Sequence, residues 1–165
     1  MSGKPIRRSR ELLVLSRQHH AGLLFCWKLR QGIRLGVETG RMSRYVDYFW
    51  KSELQSHFKK EEELLFIDSS DPFVSQAMDE HALLKTQIEL IVYSGSGTII
   101  QQLDNVAATL DEHIRFEERI LFPHLEGMFP KEKLENIERS LTADNDKIYR
   151  EDYADKFWKD RRSSL

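Results

Sequence analysis

The chain has 165 residues, enough for one compact domain with a sizeable core, and its 40% hydrophobic and 32% charged residues exclude wholesale disorder. Lys and Arg number 25 against 27 Asp and Glu, so there is no net field to hold a polyanion, and no apolar run approaches the roughly 20 residues of a membrane span. One cysteine excludes an internal disulfide and residues 1–10 lack the apolar stretch of a secretion signal, which predicts a cytoplasmic protein that binds neither membrane nor nucleic acid.

Glycine and proline cluster at 36–40, 68–72, 95–97 and 127–130, leaving stretches at 8–35, 42–67, 72–93 and 98–126 in which apolar residues recur three and four apart, the period of a helix. In the first, Leu12, Leu15, His19, Leu23 and Cys26 form one stripe, while the adjacent His20, the alternative donor from this helix, belongs to a partly apolar register through Leu13, Ser16, Leu24 and Trp27. The second carries Val46, Trp50, Leu54, His57, Glu61 and Leu64 on one face. Asp71-Pro72 predicts an N-cap with proline in the first helical position, opening a third helix with the stripe Val74, Met78, His81, Leu84, Ile88 and Ile91. Thr98 and Gln101 predict a capping box for a fourth, with Ile99, Leu103, Val106, Leu110, His113, Glu117 and Ile120 in register. Helices of about 22 to 29 residues reach roughly 33–44 Å, and connectors this short turn successive helices antiparallel. The expectation is all-α: an up-down-up-down four-helix bundle over 8–126, followed over 127–165 by a short capping helix (Leu134, Ile137, Leu141) and a charged tail. Tyr149, Tyr153, Phe157 and Trp158 predict that part of this tail docks on the bundle.

The second and fourth helices contain versions of one element. His57-Phe-Lys-Lys-Glu61-Glu62-Glu63-Leu64-Leu65-Phe66 aligns with His113-Ile-Arg-Phe-Glu117-Glu118-Arg119-Ile120-Leu121-Phe122, with Leu54 matching Leu110 one turn earlier. His-x-x-x-Glu puts both side chains on one helix face, here a face that is otherwise apolar. A carboxylate buried there is costly unless it is paired or coordinated. Adding His19 and His81 brings the core inventory to four imidazoles and two carboxylates. Two divalent ions with a bridging hydroxide or oxide would bring that set close to neutrality. With both carboxylates bridging, each ion keeps room for a small exogenous ligand. Imidazole and carboxylate suit iron, and also manganese or zinc, whereas a closed structural zinc site more often uses thiolates.

One His on the first helix, His-x-x-x-Glu on the second, one His on the third and His-x-x-x-Glu-x-x-x-Leu-Phe-Pro on the fourth is a pattern that resembles the hemerythrin-like HHE cation-binding family, over about 8–126. The resemblance implies a four-helix bundle with an oxo- or hydroxo-bridged non-haem di-iron centre and metal ligands at His19, His57, Glu61, His81, His113 and Glu117. In the oxygen-carrying hemerythrins a second histidine follows the third-helix ligand by one turn, where this sequence has Lys85. Those proteins also use His-x-x-x-x-Asp in the fourth helix, where this sequence has His113-x-x-x-Glu117. The pattern is more similar to the branch associated with iron or oxygen sensing, nitric oxide binding and iron-centre repair. The leading expectation is a protein that binds or senses O2 or NO. A di-iron oxidase, peroxidase or NO-related repair enzyme, and an iron-storage or structural metal bundle, are the alternatives; no protein partner is indicated.

Other residues read as scaffold. His124 falls at the bundle end, and Cys26 reads as inert packing. Phe25, Trp27, Phe49, Trp50, Phe58, Phe66, Phe116 and Phe122 read as core. Glu62, Glu63 and Glu118 read as a solvated face, with Glu62 or Glu118 able to reach the rim of the site, and the basic stretch at 7–10 reads as surface.

Overall fold

The computed structural model describes residues 8–143 and 149–161; Arg7 and the first part of the tail, 144–148, lie outside the described residues. Four rods form the bundle. Rod one is α1 (Leu13–Leu35), entered through a 3-10 turn at Arg10–Leu12. Rod two joins α2 (Thr39–Phe49) to α3 (Gln55–Leu64) through a π turn at Trp50–Leu54, and rod three is α4 (Pro72–Ser94). Rod four joins α5 (Ile100–Phe116) to α6 (Phe122–Met128) through a second π turn at Glu117–Leu121. α1 packs on α5, α5 on α4 and α4 on α2, and a short α7 (Lys131–Ala143) closes the end that holds Arg10–Leu12.

The rod ends follow local chemistry. Rod one stops at Gly36, whose φ of 71° is left-handed and whose N–H reaches the carbonyls of Gly32 and Ile33. Asp71 caps α4, its Oδ1 accepting from the N–H of Phe73 at 2.9 Å and of Val74 at 3.4 Å. The expected Thr98–Gln101 box does not form. The Thr98 hydroxyl donates to the Ile91 carbonyl at 3.0 Å, tying the end of rod three, and α5 starts later, with Gln102 Oε1 accepting from the Ile99 N–H at 2.9 Å.

The π turns correct the apolar register. A π turn holds one residue more than an α turn, so it rotates everything after it. Phe49 takes the core position expected for Trp50, which is half-buried, and Leu121 takes that expected for Ile120, which is exposed. In α4, Ala77 rather than Met78 faces inward, and Ile99 and Trp27 are exposed instead of buried. Leu23 and Phe116 are half-buried.

Two apolar clusters result, separated along the bundle axis. One gathers Leu12, Leu15, Leu65, Phe66, Val74, Leu121, Phe122 and Leu125 with Ile137 and Leu141 of α7. The other contains Phe25, Leu29, Met42, Tyr45, Phe49, Ile88 and Val106 and receives the tail, whose Phe157 and Trp158 are buried. Lys28 is buried beneath Trp158, 4.1 Å from its ring centroid, and pairs with Glu151, which also accepts from the Tyr45 hydroxyl. Arg41 clamps Asp155 with two contacts and reaches Asp160 with a third. Gly32 makes room for this: a Cβ there would stand 2.6 Å from the Met42 sulfur and 2.8 Å from the Phe157 ring.

Asp71 also holds His124 at 2.5 Å, which keeps its carboxyl below the ordinary aspartate range. Asp71→Ala removes the cap and is expected to lower the stability of the metal-free protein by about 1 kcal/mol, read from urea unfolding. No measurable loss would contradict the cap.

Candidate metal centre

Between the two apolar clusters lies a polar layer. His19, His57, Glu61, His81, His113 and Glu117 are all buried, and both carboxylates are fully inaccessible. Two groups of side-chain atoms close enough to share a cation are present among the described residues: His19, His57, Glu61 and Glu117 in one, and His81, His113 and Glu117 in the other. The structure thus brings all six sequence-predicted residues to one layer. It leaves His20 exposed and sends His124 to the bundle end, against Asp71.

Glu117 belongs to both groups. Its Oε2 is 3.0 Å from His19 Nε2, and its Oε1 is 2.6 Å from His113 Nε2 and 3.5 Å from His81 Nε2. His81 and His113 approach each other at 3.1 Å through the same nitrogens. Glu61 touches His57 Nε2 and is gathered in the first group alone. Glu117 thus lies within reach of both groups, while Glu61 is gathered with the first.

Each imidazole has an acceptor on its other nitrogen. Nδ1 of His19 meets Glu118 at 2.6 Å, that of His57 meets Gln18 at 2.7 Å, that of His81 meets Glu62 at 2.8 Å and that of His113 meets Glu80 at 2.6 Å. Neutral histidine consequently carries its proton on Nδ1 and turns the Nε2 lone pair to the centre, the arrangement a metal requires. Glu62 and Glu118 are therefore partners of the site rather than a solvated face. Arg8, expected on the surface, has a buried side chain that pairs with Glu118 at 2.8 Å and with Glu126 at 2.6 Å. Sequence reasoning missed Gln18 and Glu80. The available signal was adjacency: Gln18 and Glu80 immediately precede His19 and His81, as Glu62 and Glu118 immediately follow Glu61 and Glu117.

The carboxylate oxygens of Glu61 and Glu117, and Nε2 of His19, have no partner with hydrogen-bond geometry. Orphaned oxygens at zero exposure are expensive, and a cation satisfies them together. Burial would raise the Glu117 carboxyl, yet His113, with Glu61 and His19 beside it, holds it well below its ordinary value. Burial and the adjacent Glu117 charge push Glu61 well above its own. Burial and the neighbouring imidazole of His19 lower His57, while His113, which burial alone would lower, is held up at about 9 by Glu117 and Glu80. The donors are nitrogen and oxygen throughout, which fits iron, manganese or zinc. Cys26 is buried in the apolar cluster with its thiol pushed up to about 12, chiefly by burial, and supplies no thiolate.

A family model described as the Hemerythrin HHE cation binding domain matches residues 12–125. No curated protein and no solved structure gives a significant match. No helix among the described residues is long and apolar enough to cross a membrane.

Two expectations follow. Glu117→Ala should remove both ions and Glu61→Ala one of two, counted by elemental analysis after anaerobic loading; equal losses would contradict the shared position of Glu117. Coordination needs neutral imidazoles, so below a pH of about 9 a cation must displace the His113 proton and its apparent affinity should rise with pH. Titrations between about pH 6 and 9 that give one constant affinity would contradict this.

Proposed function

The chain belongs to the hemerythrin HHE cation-binding family, and from that premise we propose that it holds two iron ions and binds or senses a diatomic gas, O2 or NO, in the cytoplasm. His19, His57, Glu61 and Glu117 hold one ion, and His81, His113 and Glu117 hold the other. When bound, iron supplies an open coordination position and a change of charge on ligation.

The observation that carries the reading is a small cavity against the donor layer. It measures about 10 Å³ in the measure by which one water needs roughly 10–15 Å³, so it has room for about the outer atom of a small ligand held at the metal and none for a metabolite. Gln18, His19, His57 and His113 stand on its polar side, and Gly22, Phe49, Leu54, Phe58, Leu110 and Ile114 form its apolar wall. That wall excludes water and favours a weakly hydrated gas. Phe58 also borders a surface hollow of about 370 Å³ and stacks on His81 at 3.8 Å between ring centroids, so its ring borders both spaces. Four helices meet at the layer, so a change of charge there acts on the packing of all four.

The test is anaerobic loading with ferrous iron followed by stoichiometric addition of each gas, with near-ultraviolet charge-transfer bands recorded. A saturable change for at least one gas is expected. An unchanged spectrum with two irons bound would overturn the reading, and repeated consumption of gas with an added electron donor would replace it with a redox enzyme.

A further inference from the structure

The same cavity has one more polar wall. Glu53 lines it beside His57, within the π turn Trp50–Leu54, and is 8% exposed. Its Oε1 is inaccessible to solvent and has no hydrogen-bond partner. It is absent from both groups of candidate metal ligands, and no histidine ring nitrogen lies within ion-pair distance of it.

A buried carboxyl oxygen without a partner is destabilising, and structures keep such atoms where something outside the folded chain completes them. An α turn in place of the π turn would leave one residue fewer between Phe49 and Leu54, both of which face the cavity. The wide turn accommodates Glu53 between them. On this geometry, and resting on the gas-binding reading above, we propose that Glu53 is the hydrogen-bond donor to a small ligand in the cavity, selecting diatomic or triatomic ligands whose outer atom carries negative charge. Donation requires the protonated carboxylic acid. Burial favours it by pushing the group up to about 7, with Lys60 acting in the opposite direction, so the acid form predominates below neutral pH. The three imidazoles that border the cavity give their Nδ1 protons to Gln18, Glu118 and Glu80, and Gln18, which also lines the cavity, is engaged through its Oε1 by His57.

Azide is a suitable probe, because it is linear, small and anionic. The wild type, Glu53→Gln and Glu53→Leu are loaded with iron, and azide affinity is measured from its charge-transfer band. Its stretching frequency is compared in H2O and D2O. Glu53→Leu should weaken azide about tenfold, equivalent to roughly 1.4 kcal/mol, and abolish the deuterium shift, while Glu53→Gln, which keeps an N–H donor, retains both in large part. Iron content should stay at the wild-type level, and metal-free Glu53→Leu should unfold at a higher temperature because an unpartnered carboxyl is gone. Undiminished azide affinity with an unchanged deuterium shift in Glu53→Leu would overturn this inference alone. Loss of an iron in that variant would make Glu53 a ligand and overturn it likewise. Wild-type protein that takes two irons and binds no azide would overturn the gas-binding reading and this inference together.

Discussion

Burying two carboxylates and four imidazoles at one level of a helical bundle is the constraint on which the remaining features depend. Desolvation of that set costs far more than a small bundle can absorb unless every group is held and the net charge is cancelled. The chain meets the first requirement itself. Each imidazole is pinned through Nδ1 by a side chain from a neighbouring rod, and Arg8 in turn holds Glu118. The second requirement is left open, since the oxygens of Glu61 and Glu117 have no partner with hydrogen-bond geometry and crowd the Nε2 atoms of His19, His57 and His113. That imbalance is the physical reason to place cations there.

The pinning pattern also reflects the internal repeat. Residue 18 serves His57 as residue 80 serves His113, and Glu118 serves His19 as Glu62 serves His81. Rods one and two thus correspond to rods three and four. The correspondence breaks at Gln18, an amide where its counterpart Glu80 is an acid, and again at Glu61, which joins one group where Glu117 joins two. The halves of the centre are unequal in charge and in donor number.

How much of this was legible in the sequence depended on periodicity. The four rods, the Asp71 cap and the inward positions of His19, His57, Glu61, His81, His113 and Glu117 follow from apolar residues spaced three and four apart, which is a local property of each helix. Positions next to a stripe were not legible. Gln18 and Glu80 lie about 100° around their helices from a buried neighbour, which reads as solvent-facing until the adjacent rod is in place. The π turns were invisible for a related reason. An extra residue in one turn costs little locally and leaves no composition signal, yet it moved Ile120 outward, brought Leu121 inward and set Glu53 into the cavity wall. Both π turns adjoin the polar layer, so the irregularity of the backbone and the chemistry of the site coincide.

The most direct test of the central claim is X-ray absorption at the iron edge on protein loaded anaerobically. A centre built as described should give a first shell of nitrogen and oxygen only and a second metal scatterer within about 4 Å. A single isolated iron, or a shell containing sulfur, would contradict it.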